Sequence, residues 1–478
     1  MKFFANLLAS LIICAAAAAP APATDQEMAD VVGIWSGSVE YAGSKLPLII
    51  KIARNPEGGY TATLDSPSQG ATDIPFDSVA FDGKTLRLEL TRLLASYEGT
   101  ISDDGSVIIG EWRQGGITLP LSLDRMEKAP EPPARPQEPK EPYPYVEEEV
   151  TYESADGSIK FAGTLTMPDG DGPFPAVLLI SGSGQQDRNE TILGHKPFWV
   201  LADYLTRHGI AVLRVDDRGV GGTTGNAKDA TSEDFAGDVL EGVRFLKTRK
   251  GIDAKQIGLI GHSEGGLIAP MAAVRSQDVS FIVLLAGPGV SGAELLPVQI
   301  ERISLASGLS EADAREGREL QERVLSIVVN NEDEEEMTRL VREVLLAQYE
   351  KLPDEQREAI DVEAQIEQRI TALLSPWFRY FLKYDPAPTL KKVQCPVLAV
   401  NGELDTQVDA AQNLLAVARA LEEGGNSDYT IIKFPNLNHL FQTAKTGSPA
   451  EYMQIEETFS PVALRSIADW ILRHTEKG

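Results

Sequence analysis

The pentapeptide at residues 261–265, Gly-His-Ser-Glu-Gly, constrains the fold of this chain more than any other segment. It follows the apolar run Ile257 to Ile260 directly and precedes a helical pattern that begins at Leu267. In the turn between a buried strand and a helix, G-x-S-x-G lifts the serine hydroxyl above the sheet, and its glycines avoid a Cβ clash. The motif also occurs by chance in glycine-rich loops, so the flanking strand and helix decide the interpretation, and Ser263 is the predicted nucleophile.

Short apolar runs alternate with helical stretches from about residue 146 onwards, which is typical of a mostly parallel sheet covered by helices. A helix is predicted over Phe198 to Arg207. Strands are predicted for eight apolar runs: Val146 to Tyr152, Phe161 to Thr166, Ala176 to Ser181, Ile210 to Val215, Ile257 to Ile260, Phe281 to Ala286, Val397 to Val400 and Tyr429 to Phe434. We therefore expect residues 146–478 to form one α/β domain around a sheet of about eight strands.

Proline separates this domain from the chain before it. Seven of the fifteen residues from Pro130 to Pro144 are proline, which favours extended polyproline II, and residues 127–145 are predicted to be a semi-rigid linker. Upstream, the predicted strands are Val31 to Val39, Leu46 to Ile52, Tyr60 to Leu64, Thr85 to Leu90, Val107 to Trp112 and Ile117 to Leu123. Turn signals lie between these runs, so residues 28–126 are predicted to form a small all-β sandwich or barrel.

A serine hydroxyl is a poor nucleophile at neutral pH and needs a base, which an acid must hold in the right tautomer. The chain has five histidines. Two precede the serine, one adjoins it in a tight turn and should point elsewhere, and one lies in the polar tail; these are His195, His208, His262 and His474. His439 remains, in the loop directly after the last apolar strand, and is the predicted base.

The predicted acid lies in the loop after the strand Val397 to Val400, in the segment Asn401-Gly402-Glu403-Leu404-Asp405. Asp405 is the carboxylate best placed to face His439, and Glu403 is the competing choice. The resulting chain order of Ser, Asp and His is the one expected for an α/β-hydrolase, and it differs from the orders of the two other common serine protease folds.

Five short segments carry a resemblance to a known family: Gly182-Ser183-Gly184, Asp216 to Gly221, residues 261–265, Gly402 to Asp405 and Asn438-His439. From about Tyr152 onwards the chain resembles bacterial α/β-hydrolases of the carboxylesterase group, close to acylpeptide-hydrolase and prolyl-oligopeptidase type catalytic domains. The β-rich N-terminal region with its proline-rich linker is also similar to exported esterases of this group. Ser181 departs from the pattern, since many members have histidine there, and this puts the bracing of the following loop in doubt.

The tetrahedral intermediate of acyl transfer needs two N–H donors aimed at its developing negative charge. One is expected to be the backbone N–H of Glu264, which follows the nucleophile. The resemblance implies that the second comes from Ser183, with Gly184 as the alternative. The glycines of this loop also suggest a phosphate cradle, but the segment lacks the Lys-Ser/Thr ending of a P-loop and does not fit G-x-G-x-x-G.

Ser263 and Asp405 are 142 positions apart, more than the roughly 40 to 50 residues that a strand, a helix and their loops require. Residues of about 294–384 read as helices, which predicts a helical cap inserted over the active site. At its end, Trp377, Phe378 and Phe381 are candidates for an acyl or alcohol pocket. The alternative is that these aromatic side chains pack the helices onto the main domain.

The first 23 residues resemble a secretory signal peptide, with Lys2, an apolar run from Phe3 to Ala19 and a small-residue cleavage site before Thr24. We therefore expect a periplasmic or secreted protein. An uncleaved anchor is disfavoured by the short, alanine-rich run. Lipoprotein anchoring at Cys14 is a minor alternative, because the residue before this cysteine is isoleucine. Once the leader is removed, Cys395 would be the sole cysteine and no intrachain disulfide could form.

A net charge of −27 disfavours nucleic acid and anionic membrane surfaces as partners. No later segment is apolar enough to span a bilayer, and no His-x-x-x-His or clustered Cys/His pattern predicts a metal; no cofactor is expected either. The expected partner is a small-molecule ester, and the leading function is that of a serine carboxylesterase. A serine peptidase with the same triad is the second choice, although the N-terminal region is too short for a propeller filter. A non-catalytic binding protein is third, because all three triad positions hold competent residues.

Overall fold

The computed structural model describes residues 30–475, except 42–43, 57, 68–70, 115–116, 129–132, 353–356 and 358–360. The predicted leader at residues 1–23, with its cleavage site and Cys14, lies outside the described residues. The chain forms two compact units. One contains the N-terminal sheet and residues 341–370, and the other contains residues 133–340 and 371–478.

The N-terminal sheet has nine strands, and every neighbouring pair is antiparallel. The strands are β1 Gly33–Tyr41, β2 Ser44–Arg54, β3 Tyr60–Ser66, β4 Ala71–Pro75, β5 Ser78–Phe81, β6 Thr85–Leu90, β7 Ala95–Ile101, β8 Val107–Gln114 and β9 Ile117–Met126. Their order is β4-β3-β2-β1-β9-β8-β7-β6-β5. Strands at both ends of this order contribute side chains to a single apolar core, which includes Trp35, Leu88 and Trp112. One sheet around one core favours the barrel over the two-sheet sandwich.

The second sheet has eight strands in the order β10-β11-β13-β12-β14-β15-β16-β17. They are β10 Tyr145–Glu153, β11 Lys160–Pro168, β12 Phe174–Ile180, β13 Ala211–Val215, β14 Ile252–His262, β15 Phe281–Leu285, β16 Val397–Gly402 and β17 Tyr429–Phe434. β10, β11 and β13 pair antiparallel, and the remaining pairs are parallel. The predicted eight-stranded, mostly parallel α/β-hydrolase sheet is confirmed.

Helices cover both faces of this sheet, which explains why its central strands are apolar throughout. α1 Pro197–Arg207 and α11 Pro461–Thr475 pack on one face, and α2 Ser232–Lys247, α3 Glu264–Ala273 and α10 Ala410–Glu423 pack on the other. Successive strand residues alternate between the two cores: Val177 belongs to the first and Leu178 to the second. The carboxyl ends of the parallel strands remain open for loops, and the predicted site residues lie there.

The long insertion between β15 and β16 is helical, as predicted. It contains α4 Gly292–Ala306, α5 Glu311–Asn330, α6 Glu334–Tyr349, α7 Val362–Leu373, α8 Pro376–Lys383 and α9 Ala387–Leu390. Ser375 caps α8 by accepting a hydrogen bond from the backbone N–H of Phe378. No helix in the described part of the chain is long and apolar enough to cross a membrane.

The described part of the proline-rich segment is bound to the α/β unit. The Arg135 guanidinium donates hydrogen bonds to four backbone carbonyls, those of Leu193, Gly194, Met453 and Ile455. The Gln137 side-chain oxygen accepts from the N–H groups of Thr458 and Phe459. These contacts fix residues from Pro133 onwards, so this part of the segment is not a free spacer.

Candidate active site

Ser263 occupies the turn between β14 and α3, with φ 52° and ψ −120°. A non-glycine residue in this region is strained, and the strain persists only where neighbouring structure enforces it. The flanking glycines do so: a Cβ on Gly261 would lie 1.9 Å from the carbonyl oxygen of Gly265, and one on Gly265 would lie 2.2 Å from that of Ile180. The Ser263 N–H donates to the Leu285 carbonyl at 2.8 Å. The strand-turn-helix context of the motif is therefore present.

His439 and Asp405 form a buried pair. His439 Nδ1 lies 2.8 Å from Asp405 Oδ2, and both side chains are buried. The other carboxylate oxygen of Asp405 accepts from the N–H groups of Gln407 and Val408 at 2.8 Å each. An ionised carboxylate only accepts hydrogen bonds, so Nδ1 of a neutral His439 is the N–H donor and Nε2 is left as the acceptor. Glu403, the competing acid, is half-exposed and pairs with Lys433 at 3.5 Å.

Ser263 and His439 line one cavity of about 260 Å³, together with Ser183 and Glu264. These residues follow three different strands, β12, β14 and β17, and the parallel sheet brings the segments after them to one edge. Trp377, Phe378 and Phe381 of α8 also line this cavity, with Leu295 and Leu296 of α4. The structure therefore brings the predicted triad and the predicted pocket residues together.

The loop at residues 182–184, the predicted oxyanion loop, is braced from two directions. The Ser181 hydroxyl donates to Asp217 at 2.8 Å, and the Gly182 N–H donates to Glu190 Oε1 at 2.7 Å. Burial raises the pKa of the Asp217 carboxyl to about 7. Since Gly182 N–H is engaged, Ser183 and Gly184 remain the candidate donors, as predicted. Asp217 and Glu190 replace the bracing that the departure at Ser181 put in doubt.

The Glu264 side chain has a role that the sequence did not indicate. It is buried, and its Oε1 accepts from the Ser232 hydroxyl at 2.6 Å and from the Trp377 indole N–H at 2.8 Å. Its backbone N–H is the first of α3 and has no intrahelical acceptor. Glu264 therefore lines the cavity with a backbone N–H that the helix does not use, while its carboxylate ties α2 and α8 to the turn.

The aromatic side chains of α8 combine both roles considered from the sequence. Trp377 stacks on Phe381 with ring centroids 5.7 Å apart. Phe381 is buried against Gly292 at the start of α4, where a Cβ would lie 2.6 Å from its ring. Phe378 is only partly buried. Phe381 thus packs helix on helix and lines the cavity, whereas Phe378 mainly lines it.

A second cavity, of about 420 Å³, adjoins the first and shares Gly182, Ser183, Glu264 and Trp377 with it. Its wall is mostly apolar and includes Phe235 and Ile268, in addition to residues from β12 and β13. Arg218, at its edge, forms two 2.7 Å hydrogen bonds with Asp238 of α2. Ser263 lines only the first cavity, and the two cavities meet at the loop and Glu264.

The histidines that were set aside are mostly structural. His195 is fully buried between Thr458 and the Tyr452 carbonyl, and burial lowers its pKa to about 4. His262 differs from expectation: it does not point away from the site, since its ring contacts Glu190 and the backbone of His439. Among the described residues, no group of three or more His, Cys, Asp or Glu side chains is placed to hold a metal ion.

Known proteins match the part of the chain that carries this site. A model of the alpha/beta hydrolase family matches residues 177–453. The chain is 28% identical to the esterase EstD of Thermotoga maritima over 334 residues, which cover 69% of each protein. It is 30% identical to the thiohydrolase aneE of Aspergillus aculeatus over 136 residues, 28% of this chain and 40% of that protein.

Solved structures are more distant. The alpha/beta hydrolase GrgF from Penicillium sp. sh18 is 16% identical with a TM-score of 0.44, covering 69% of this chain and 99% of that one. The Pyrococcus furiosus esterase Pf2001 is 14% identical with a TM-score of 0.39, covering 72% and 98%. At these scores no argument about function follows from the solved structures.

Proposed function

The chain belongs to the alpha/beta hydrolase family, and we propose that it is a serine carboxylesterase that hydrolyses small-molecule esters through an acyl-enzyme intermediate. Ser263 is the nucleophile, His439 the general base and Asp405 the acid that orients it. The single observation that carries the proposal is that His439, paired with the buried Asp405, and Ser263, held in a strained turn, line the same cavity. A buried base with a fixed tautomer and a raised hydroxyl are the two requirements of serine catalysis.

In the proposed reaction, Ser263 Oγ attacks the ester carbonyl carbon while His439 Nε2 accepts its proton. The N–H groups of Glu264 and Ser183, or of Gly184 in place of Ser183, stabilise the oxyanion. His439 then gives the proton to the departing alcohol, which leaves the acyl group on Ser263. Water, activated by the same imidazole, releases the acid. Throughout, Asp405 stabilises the imidazolium without taking its proton.

The names of two relatives and the sizes of the two cavities favour ester hydrolysis over peptide hydrolysis. EstD is named an esterase and aneE a thiohydrolase, so neither name is that of a peptidase. Cavities of about 260 and 420 Å³ suit the two halves of a small ester. A serine peptidase remains the alternative, because the same triad cleaves both bonds.

A substrate panel tests the proposed class. Purified protein is assayed with p-nitrophenyl esters of rising acyl length beside aminoacyl and peptidyl p-nitroanilides. We expect hydrolysis of the esters, with kcat/KM at least a hundredfold above that for the anilides. Cleavage of peptidyl substrates without ester hydrolysis would replace the esterase assignment with the peptidase one.

The protein is further proposed to be exported, to the periplasm or the medium, because residues 1–23 have the pattern of a cleaved leader. Cys395 is a free cysteine in the structure and would be the sole cysteine after removal of the leader. No intrachain disulfide is therefore expected, even in an oxidising compartment. Expression of the full chain, fractionation and N-terminal sequencing test this. A mature chain beginning at Thr24 is expected, whereas a lipid-modified Cys14 would indicate a lipoprotein.

A further inference from the structure

A line of hydrogen bonds connects the predicted oxyanion loop with the loop of the proposed base. His262 precedes the nucleophile and is buried at the end of β14. Its Nδ1 lies 2.9 Å from Glu190 Oε1, and its Nε2 lies 3.0 Å from the backbone carbonyl oxygen of His439. The same oxygen of Glu190 accepts from the Gly182 N–H at 2.7 Å. One carboxylate and one imidazole therefore join both loops.

The hydrogen bonds fix the number of protons on this pair. A backbone carbonyl and an ionised carboxylate only accept, so a neutral imidazole with one N–H can satisfy only one of the two neighbours of His262. Both contacts are made when the ring carries two protons, or when Glu190 holds the second one. In either form the pair binds one proton more than neutral histidine beside ionised glutamate, and it has no net charge.

The surroundings favour retention of that proton at neutral pH. Burial lowers the pKa of His262, but the charge and hydrogen bond of Glu190, the carbonyl of His439 and the charge of Asp405 together outweigh it, so its pKa is raised above the ordinary value. Two other titratable groups lie near the pair: the His439 ring, with its centroid 4.8 Å away, and the Asp217 carboxyl, which interacts electrostatically with Glu190. Because histidine ordinarily titrates near pH 6.5, the pair is expected to lose its proton only in neutral to alkaline solution.

The backbone of Glu190 shows that the contact is enforced. Its φ of 52° lies in the left-handed region, where a non-glycine residue is strained. The side chain is buried and makes two hydrogen bonds, to Gly182 and His262. Such strain persists where the surrounding contacts hold it, and here those contacts lead to the two catalytic loops.

We propose that Glu190 and His262 are positioning residues that hold the oxyanion loop and the His439 loop in register through one shared proton, whose loss in alkaline solution lowers turnover. The inference rests on the proposed function, because it assigns the two loops their catalytic roles. When the proton leaves, His262 keeps only one of its two contacts. Either Gly182 and its neighbours or the backbone of His439 then loses its connection to the pair. Small displacements of such groups lower the rate of turnover.

Three variants of the full protein test the proposal: Glu190→Gln, His262→Gln and the control His195→Gln. Glu190→Gln retains an acceptor oxygen but not the charge, so the ring of His262 should lose its proton at lower pH. His195 is equally buried but neutral, with its pKa near 4. His195 Nε2 also contacts Gln442, which is hydrogen-bonded to Asn438 beside His439, so its loss should lower kcat at every pH. Because its contacts are a hydroxyl, a carbonyl and an amide, which do not ionise in this range, the pH at which kcat falls should stay that of the wild type. Values of kcat and KM are measured from pH 5.5 to 10, and melting temperatures are recorded at the same pH values.

For Glu190→Gln, we expect the alkaline fall in kcat to begin at least one pH unit below that of the wild type. The ratio of wild-type to variant kcat should therefore rise about tenfold with pH, with KM changed less than twofold. His262→Gln should lack this alkaline fall and have a kcat reduced about tenfold at pH 8. His195→Gln should keep the alkaline fall at the wild-type pH. If His262→Gln does not fold, the isosteric Glu190→Gln variant alone carries the test.

An unchanged pH profile of kcat in folded Glu190→Gln would overturn the inference, as would an equal shift of the alkaline fall in His195→Gln. The proposed function fails by a different result, namely fluorophosphonate labelling that persists in Ser263→Ala. Labelling that depends on Ser263, combined with an unchanged profile in Glu190→Gln, would leave the esterase assignment standing and remove only the role of the Glu190–His262 pair.

Discussion

The indole N–H of Trp377 donates a 2.8 Å hydrogen bond to the buried carboxylate of Glu264, which ties α8 of the helical insertion to the residue after the proposed nucleophile. Trp377→Phe keeps an aromatic ring in the cavity but removes this bond. We expect the free energy of unfolding to fall by about 1 to 3 kcal/mol, because a buried carboxylate loses a donor. We also expect kcat to fall, because Glu264 provides a proposed oxyanion N–H.

Chemical denaturation and ester kinetics measure the two effects. Trp199→Phe is the matched control, since Trp199 is a half-buried tryptophan on α1 that lines neither cavity. It should change kcat less than twofold. If Trp377→Phe is as stable and as active as the wild type, the bond does not hold α8 to the turn.

Phe378 and Phe381 should respond differently to truncation. Phe378→Ala removes part of the cavity wall but little core packing. The fall in kcat/KM should therefore be larger for long acyl esters than for acetate, and it should correspond to a loss of roughly 1 to 3 kcal/mol at most in transition-state binding. Phe381→Ala leaves a hole beside Gly292 and should lower the free energy of unfolding by about 3 to 5 kcal/mol. Chain-length profiles and melting temperatures on both variants check this. Equal losses of kcat/KM at every chain length in Phe378→Ala would show that it does not line the acyl pocket.

Asp405→Asn should leave KM within a few-fold and lower kcat by roughly 10⁴-fold, because an amide beside Nδ1 favours the wrong imidazole tautomer. Glu403→Gln is the control from the same loop, and its half-exposed pair with Lys433 predicts less than a twofold change. Steady-state kinetics of both variants with a short-chain ester decide between the acids. A greater loss of kcat in Glu403→Gln would transfer the role of the acid to that residue.

Asp217 predicts a pH dependence of stability. Burial raises its pKa in the folded protein to about 7, whereas an unfolded aspartate titrates near 3.9. The folded state therefore binds more protons between these values, and its stability falls as the pH rises through that window. Asp217→Asn mimics the protonated form and removes this term. Urea unfolding at pH 4.5 and 7.5 should show the wild type losing a few kcal/mol relative to the variant. A constant difference between the two proteins would contradict the raised pKa.

The sequence predicted most of the α/β unit because its strands are buried on both faces and read as continuous apolar runs. In the N-terminal sheet it missed β4, β5 and β7, where polar residues are frequent and pairing with neighbours, rather than local pattern, makes the strand. These strands are visible only in three dimensions. Some predicted bounds also differ from the observed ones: β14 begins at Ile252 rather than Ile257.

For the site, a motif, the strand ends and the chain order were sufficient to bring Ser263, Asp405 and His439 together. Glu190 could not be found in this way. It lies in a polar loop without a motif, 72 residues before His262, and only the fold brings the two side chains into contact. The role of the Glu264 carboxylate could not be predicted either, because its partners Ser232 and Trp377 lie on separate helices that only the fold brings together.

Labelling by a fluorophosphonate probe tests directly whether Ser263 is the nucleophile. It is measured for the wild type and for Ser263→Ala, and hydrolysis of p-nitrophenyl acetate is measured on the same samples. The wild type should be labelled once per chain, at Ser263 by peptide mass, and lose activity in proportion. Ser263→Ala should be unlabelled and inactive, with an unchanged circular dichroism spectrum. Labelling or ester hydrolysis that persists in folded Ser263→Ala would contradict the assignment of the nucleophile.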